Sequence, residues 1–212
     1  MIKSGKMWVT NEEDYFFKIF QRTGDKFDAG DLEFALKNVK NKSVALDVGA
    51  HFGSWTRILS QKFNEVVAVE GAPENFNCLL KNTEQFHNIE CINCAIGNDF
   101  GNVDIGFLPG QPTKNSGGMA IIGDGDIPMI TIDSLNLKAL DFLKIDIEGY
   151  EIPALRGGMK TIMKYKPVIV IEDNIRNVQQ GFRVGDNIKF LENLGAKRIK
   201  SFPSDNHVFV WN

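Results

Sequence analysis

The chain has 212 residues, 43% of them hydrophobic and 24% charged, with 20 Gly, 7 Pro and 16 Phe. That suffices for one domain with a sizeable core and excludes collagen-like, mucin-like and globally disordered chains. Lys and Arg (24) against Asp and Glu (27) leave a net charge of −3, without the basic surface that a nucleic-acid backbone requires.

Met1 to Thr10 carries lysines but no apolar run of signal-peptide length, and no stretch approaches the roughly 20 apolar residues of a membrane span. Asn11 to Gln21 (NEEDYFFKIFQ) reads as a helix with Thr10 as N-cap and an apolar face of Tyr15, Phe16, Ile19 and Phe20. Asp31 to Val39 repeats the pattern. Residues 1–42 thus read as a helical extension lying over a main domain of residues 43–212.

From Ser43 the period changes. Ser43–Asp47 is a short apolar strand ending in an acid, followed by a glycine turn and a helix from Ser54 to Lys62. Glu65–Glu70 is a second strand ending in an acid, Pro73 to Asn82 its helix with Pro in the first turn, and Ile89–Cys94 a third strand. Gly97 to Gly125 breaks the rhythm: Asn102–Phe107 reads as a strand, but Gly, Pro, Asn and Asp dominate the rest, with Gln111–Gly118 a candidate lid or substrate loop or a plain surface loop. Order returns with strands Met129–Ile132 and Asp141–Asp146, a helix from Ile152 to Lys164, strand Pro167–Glu172 and a helix from Gly185 to Asn193. Ala196–Lys200 and His207–Trp211 close the chain as an antiparallel hairpin at one sheet edge. Near-continuous apolar strands alternating with helices imply a parallel α/β sheet covered on both faces, and the count suits seven strands, doubly wound.

Cys78, Cys91 and Cys94 are odd in number and too few for a disulfide framework, which points to a reducing, cytoplasmic setting. Cys91 and Cys94 have C-x-x-C spacing but no second pair, so they read as buried strand thiols rather than zinc ligands. Trp8, Trp55 and Trp211 read as packing residues.

In a doubly wound sheet, ligands bind beyond the carboxyl ends of the strands where the strand order reverses. The turn Asp47-Val48-Gly49-Ala50-His51-Phe52-Gly53 belongs there, but its glycines are spaced G-x-x-x-G rather than G-x-G-x-x-G, and no phosphate-binding lysine loop exists. Asp47 would repel a phosphate and suits an ammonium or sulfonium. Glu70 ends the next strand, about twenty residues on, where an acid accepts ribose hydroxyls. Together these point to an adenosine ligand without a pyrophosphate, which S-adenosylmethionine is. Lys144, Asp146 and Glu148 continue one face of a buried strand, and such ionisable groups are costly unless paired or used. His51 could relay a proton or merely pack over the turn.

The strings DVGAHFGSW, VVAVEGAPENFNCLLKN, CAIGNDFG, TIDSL, DFLKIDIEGYEIPALRGG and PVIVIE, in that order, resemble the FkbM family of S-adenosylmethionine-dependent methyltransferases from about Ser43 to Glu172. Lys144-Ile145-Asp146-Ile147-Glu148-Gly149 followed by Leu155-Arg156-Gly157-Gly158 is the most specific part. The resemblance implies a class I (Rossmann-like) fold with a mostly parallel sheet, an antiparallel C-terminal edge strand, and O-methylation of a sugar, glycolipid or natural-product hydroxyl. It implies that Asp47, Gly49, Ala50, His51 and Gly53 line the methionine end and Glu70 holds the ribose. Gly71, Ala72, Ala95 and Ile96 would border the adenine. An acid common in class I enzymes before the alanine is here Cys94, so a backbone group or Asn93 would meet the adenine amine. Asp146 would sit beside the transferred methyl as first candidate base, with Glu148 and Glu172 behind it and Lys144 orienting. The other way to acidify an acceptor is a divalent metal on Asp146, Glu148 and Glu172, less favoured than a base. The competing functional class is a non-catalytic, methyltransferase-like binding module.

Overall fold

The computed structural model describes residues 1–25, 27, 29–111 and 113–212. It opens with a hairpin that the sequence pattern does not announce: β1 (Ile2–Ser4) and β2 (Met7–Val9) pair antiparallel across Gly5, whose φ of 56° suits the tight turn. Strands of three residues are too short to show a period of two. Helix α1 (Tyr15–Thr23) starts later than expected, because Asp14 and not Thr10 caps it. The Asp14 carboxylate accepts the Phe16 N–H at 2.9 Å, while the Thr10 hydroxyl donates to that same carboxylate. Helix α2 (Ala29–Leu36) begins before Asp31 and ends before Val39.

Next come β3 (Val44–Val48), α3 (Ser54–Ser60), β4 (Glu65–Val69), α4 (Pro73–Thr83) and β5 (Ile89–Ile92), close to expectation. The chain then leaves the main sheet. β6 (Ala95–Ile96), β7 (Gly101–Phe107) and β8 (Met119–Ile130) form a separate three-stranded sheet in the order β6-β8-β7. Half of β8 therefore falls where an irregular loop was expected. This strand is mostly solvent-facing and its register with β7 shifts around Asp104, so backbone pairing rather than an apolar pattern holds it.

Strand β9 (Phe142–Ile145) returns to the main sheet, and the single helix expected from Ile152 to Lys164 is two, α5 (Glu151–Gly157) and α6 (Met159–Tyr165). The break follows from close approach: a Cβ on Gly157 would strike the Gly97 carbonyl, and one on Gly158 would lie 3.1 Å from Ile132. β10 (Val168–Glu172), α7 (Arg176–Gln179), α8 (Asp186–Asn193), β11 (Ala196–Ser201) and β12 (Asn206–Trp211) complete the chain.

The main sheet has seven strands in the order β11-β12-β10-β9-β3-β4-β5. Only β12 runs antiparallel; the expected hairpin does sit at one sheet edge, but the antiparallel C-terminal strand expected at that edge is inserted between β10 and β11, and β11, parallel to the rest, is outermost. Alternation along the strands divides two cores. Leu46, Val48, Leu143, Ile145, Ile169 and Ile171 face α5 and α8, whereas Ala45, Phe142 and Val170 face α2 and α3. Each fully buried Leu or Ile contributes about 1.5–3 kcal/mol by leaving water. A third cluster ties Met7, Val9, Phe16 and Phe20 to Phe52 of the glycine turn and Cys78 of α4. Strand order reverses between β3 and β9, which opens the crevice of doubly wound sheets at their carboxyl ends.

Candidate active site

Asp47 and Lys144 are register partners in the β3–β9 pair. Ala45 and Phe142, two residues earlier, pack against α3, so the two charged side chains emerge on that same face. The Thr56 hydroxyl of α3 donates to Asp47 Oδ2 at 2.6 Å. Lys144 Nζ donates to the Gly49 carbonyl at 2.7 Å, and lies 3.5 Å from Asp47 Oδ1 and 3.3 Å from Asp146 Oδ2. Burial by itself would lower the lysine pKa, but the charges of Asp146 and Asp47 outweigh it and hold the ammonium above its ordinary value. The buried Asp47 and Lys144 and the partly exposed Asp146 thus form a triad with one surplus negative charge. Asp47 Oδ1 receives no hydrogen bond among the described residues and lies on a cavity of about 410 Å³ at the strand-switch crevice.

The glycine turn brings backbone against this triad. Gly49 has a φ of 79°, and a Cβ there would collide with the Asp146 carbonyl. The N–H groups of Gly49 and Ala50 both donate to the Val69 carbonyl at 2.9 Å. His51, at φ 52°, donates its N–H to Glu70 Oε2 at 2.8 Å, while its ring stacks on Phe52 with centroids 3.7 Å apart. Burial, with the Lys144 charge second, pushes His51 down to about 3, so the ring is neutral at ordinary pH. That disfavours the relay and supports packing. Gly53 lies off the cavity, capping α3 against Leu79.

Glu70 is buried beyond β4. Its Oε1 accepts the Ala72 N–H at 2.9 Å and its Oε2 the His51 N–H, so the chain itself aims the carboxylate. Burial raises its pKa against these amides and Lys144. Gly71, Cys94, Ala95 and Ile96 line the cavity; Ala72 and Asn93 do not. The expected adenine contact by Asn93 is corrected: its amide donates to the carbonyls of Glu70 and Gly71 at 2.8 and 3.0 Å, and so fixes the loop instead.

At the opposite end, Asp146, Glu148 and Glu172 bring carboxylate oxygens within 4.8 Å of one another. Glu148 arrives there through a left-handed backbone (φ 60°) after β9 ends, not as a continuation of the strand. Arg176, from α7, pairs directly with Glu148 and lies 4.0 Å from Glu172. Burial and the neighbouring Asp146 push Glu148 up to about 9 despite the arginine. Glu172 is raised well above the usual carboxylate range for the same two reasons. A divalent ion on this trio would displace a guanidinium already seated on Glu148, so the metal reading fits poorly. Glu151, pushed up to about 7 by burial, accepts the Ile147 and Gly149 N–H groups and holds this turn.

Sequence reasoning missed Arg176, Thr56 and Asn75, and reached Ser116 only as part of the candidate loop Gln111–Gly118. Of the three, only Arg176 left a signal, a basic residue four positions beyond the acid that ends a core strand. The stretch Gln111–Gly118, of which Pro112 lies outside the described residues, reaches over the cavity. The Tyr15 N–H donates to the Lys114 carbonyl at 2.7 Å, Lys114 pairs with Glu13 at 3.0 Å, and Phe16 packs under Gly117.

The chain is 27% identical over 145 residues to the hexuronic acid methyltransferase AglP of Haloferax volcanii, covering 66% of this chain and 59% of that protein. It thus spans less than two thirds of that curated relative. The crystal structure of methyltransferase FkbM from Methylobacillus flagellatus KT matches at a TM-score of 0.53 and 20% identity, over 80% of this chain and 44% of that one. A Streptococcus mutans protein solved in complex with SAH matches at 0.50 and 11% identity, over 84% and 92%. These likenesses give the fold, that of class I methyltransferases. The methyltransferase FkbM domain profile matches residues 47–198, most of the chain. The chain belongs to the FkbM methyltransferase family.

Proposed function

We propose that the protein is an S-adenosylmethionine-dependent methyltransferase acting on a hydroxyl of a sugar-type acceptor. The observation that carries this reading is the pair Asp47 and Glu70, ending neighbouring strands on either side of a glycine turn and both lining the cavity, with Asp47 Oδ1 free of hydrogen bonds among the described residues and 3.5 Å from the Lys144 ammonium. A cavity of about 410 Å³ falls within the roughly 300–1,000 Å³ of small-molecule sites. S-adenosylmethionine, when bound, supplies a methyl group on a positively charged sulfur, for in-line displacement by a nucleophile. Glu70 would hold the ribose, and the surplus negative charge of the Asp47–Lys144–Asp146 triad would favour the sulfonium.

Alignment of acceptor and methyl is the main contribution asked of the fold, and proximity of this kind is worth roughly 7–11 kcal/mol. Asp146 reaches the cavity with its side chain 35% exposed, held by Lys144, and would take the acceptor proton. Such general-base help is typically about 10²–10⁴-fold. The sugar-type acceptor rests on the name of the Haloferax volcanii relative, a hexuronic acid methyltransferase. The test is incubation with methyl-labelled S-adenosylmethionine and a panel of glycans, glycolipids and small hydroxylated metabolites. Label should move to a sugar oxygen; binding of the cofactor without transfer to any member would favour the non-catalytic module instead.

A further inference from the structure

The segment over the cavity is fastened to the nucleoside side of the crevice. Ser116 is buried, its hydroxyl 2.8 Å from His51 Nε2 and its carbonyl accepting from Asn75 Nδ2 at 3.2 Å. His51 in turn gives its N–H to Glu70 Oε2. Hydrogen bonds thus link Glu70 to the His51 backbone, the His51 ring to the Ser116 hydroxyl and the Ser116 carbonyl to Asn75, and all four residues line the cavity.

Asn75 is 2% exposed and stands in the first turn of α4. Donation to the Ser116 carbonyl fixes which end of its amide is nitrogen, and leaves Oδ1 able only to accept. No described residue donates to that oxygen, which is shut off from solvent. A buried acceptor without a donor is a standing desolvation cost, relieved when a ligand brings the missing hydrogen. Each Glu70 oxygen already accepts one backbone N–H. A ribose held by Glu70 carries two hydroxyl protons, and Glu70 and Asn75 are two acceptors lining the same cavity.

We propose that Asn75 is a ribose-binding residue, taking one of the two cofactor hydroxyls on Oδ1 while Glu70 takes the other, with Ser116 positioning its amide. This rests on the S-adenosylmethionine reading. The segment over the cavity then registers the nucleoside directly, and the acceptor only beyond it.

The test is calorimetry with S-adenosylhomocysteine and its 2′-deoxy and 3′-deoxy forms, on the wild type, Asn75→Ala and Asn75→Asp. In the wild type, removing the hydroxyl that meets Asn75 should weaken binding about tenfold, as expected for one buried hydrogen bond. In Asn75→Ala the parent compound should weaken by about the same factor, and that deoxy form should then bind within about twofold of it. Asn75→Asp keeps an acceptor and loses the donor to Ser116, so the deoxy penalty should persist there; it carries the test alone if Asn75→Ala does not fold. Equal deoxy penalties in the wild type and Asn75→Ala, or loss of the penalty in Asn75→Asp, would overturn the assignment and leave Asn75 as a fastening for the segment. A wild type that binds none of the three compounds would instead overturn the cofactor reading beneath it.

Discussion

Replacing Lys144 with Met removes the one cation between Asp47 and Asp146 while nearly keeping side-chain volume. Asp47 is fully buried, and only the Thr56 hydroxyl would remain on its carboxylate. Asp146 is a third exposed and can turn to water, so its contact with the ammonium contributes little to the difference. The dominant effect is the uncompensated Asp47 charge, and breaking a buried pair this way costs about 3–5 kcal/mol. At about 2–4 °C per kcal/mol for a chain of this size, the melting temperature should drop by roughly 6–20 °C. Because the folded-state Lys144 is held above its ordinary value, its contribution is present below the unfolded pKa and fades only as pH rises through the folded one. Wild-type Lys144 therefore adds no pH dependence around neutrality. Urea or thermal denaturation of Lys144→Met and of Asp47→Asn/Lys144→Met measures the effect. The double variant should recover most of the loss, since no orphan charge is left. A single variant within about 1 kcal/mol of wild type, or a double variant no better than the single, would refute the buried Asp47–Lys144 pair.

Asp146→Asn should keep affinity for the uncharged S-adenosylhomocysteine within about threefold and lose roughly 10²–10⁴-fold in turnover; unchanged turnover removes Asp146 as the base. Glu148, raised to about 9 in the fold, binds a proton that the unfolded chain releases above its ordinary carboxylate pKa, so it makes wild-type stability fall with rising pH through that window. Glu148→Gln should remove this, gaining on the wild type by up to about 1.4 kcal/mol per pH unit between about pH 5 and 9; denaturation curves of equal pH slope would contradict it. Methyl transfer should survive thorough chelation within about twofold, and loss restored by Mg²⁺ or Mn²⁺ would reinstate a metal on Asp146, Glu148 and Glu172.

Where apolar runs are long and end in an acid, the sequence was legible. Strands β3, β4, β9 and β10 and the positions of Asp47, Glu70 and Lys144 follow from alternation and the strand-switch rule. The unread parts are those held by backbone or by single contacts. The Ile2–Val9 hairpin is too short for periodicity, β8 has no apolar stripe, and the α5–α6 break needs the Gly97 carbonyl, far away in sequence, to explain it. Within the site, an Asn side chain has two donors and an acceptor, and sequence position cannot say where they point. Asn93 was expected at the adenine and instead ties down its own loop; Asn75 gave no signal and stands on the cavity. Arg176 matters through its seat between Glu148 and Glu172, which only the fold creates.

The most direct measurement is isothermal titration of the wild-type protein and Glu70→Gln with S-adenosylmethionine. Occupancy of the crevice at the carboxyl ends of β9, β3 and β4 predicts saturable, one-to-one heat in the wild type, displaced by S-adenosylhomocysteine and much weakened in the variant. Titrations without heat, or with affinity indifferent to Glu70, would contradict a nucleoside sulfonium site at these strand ends.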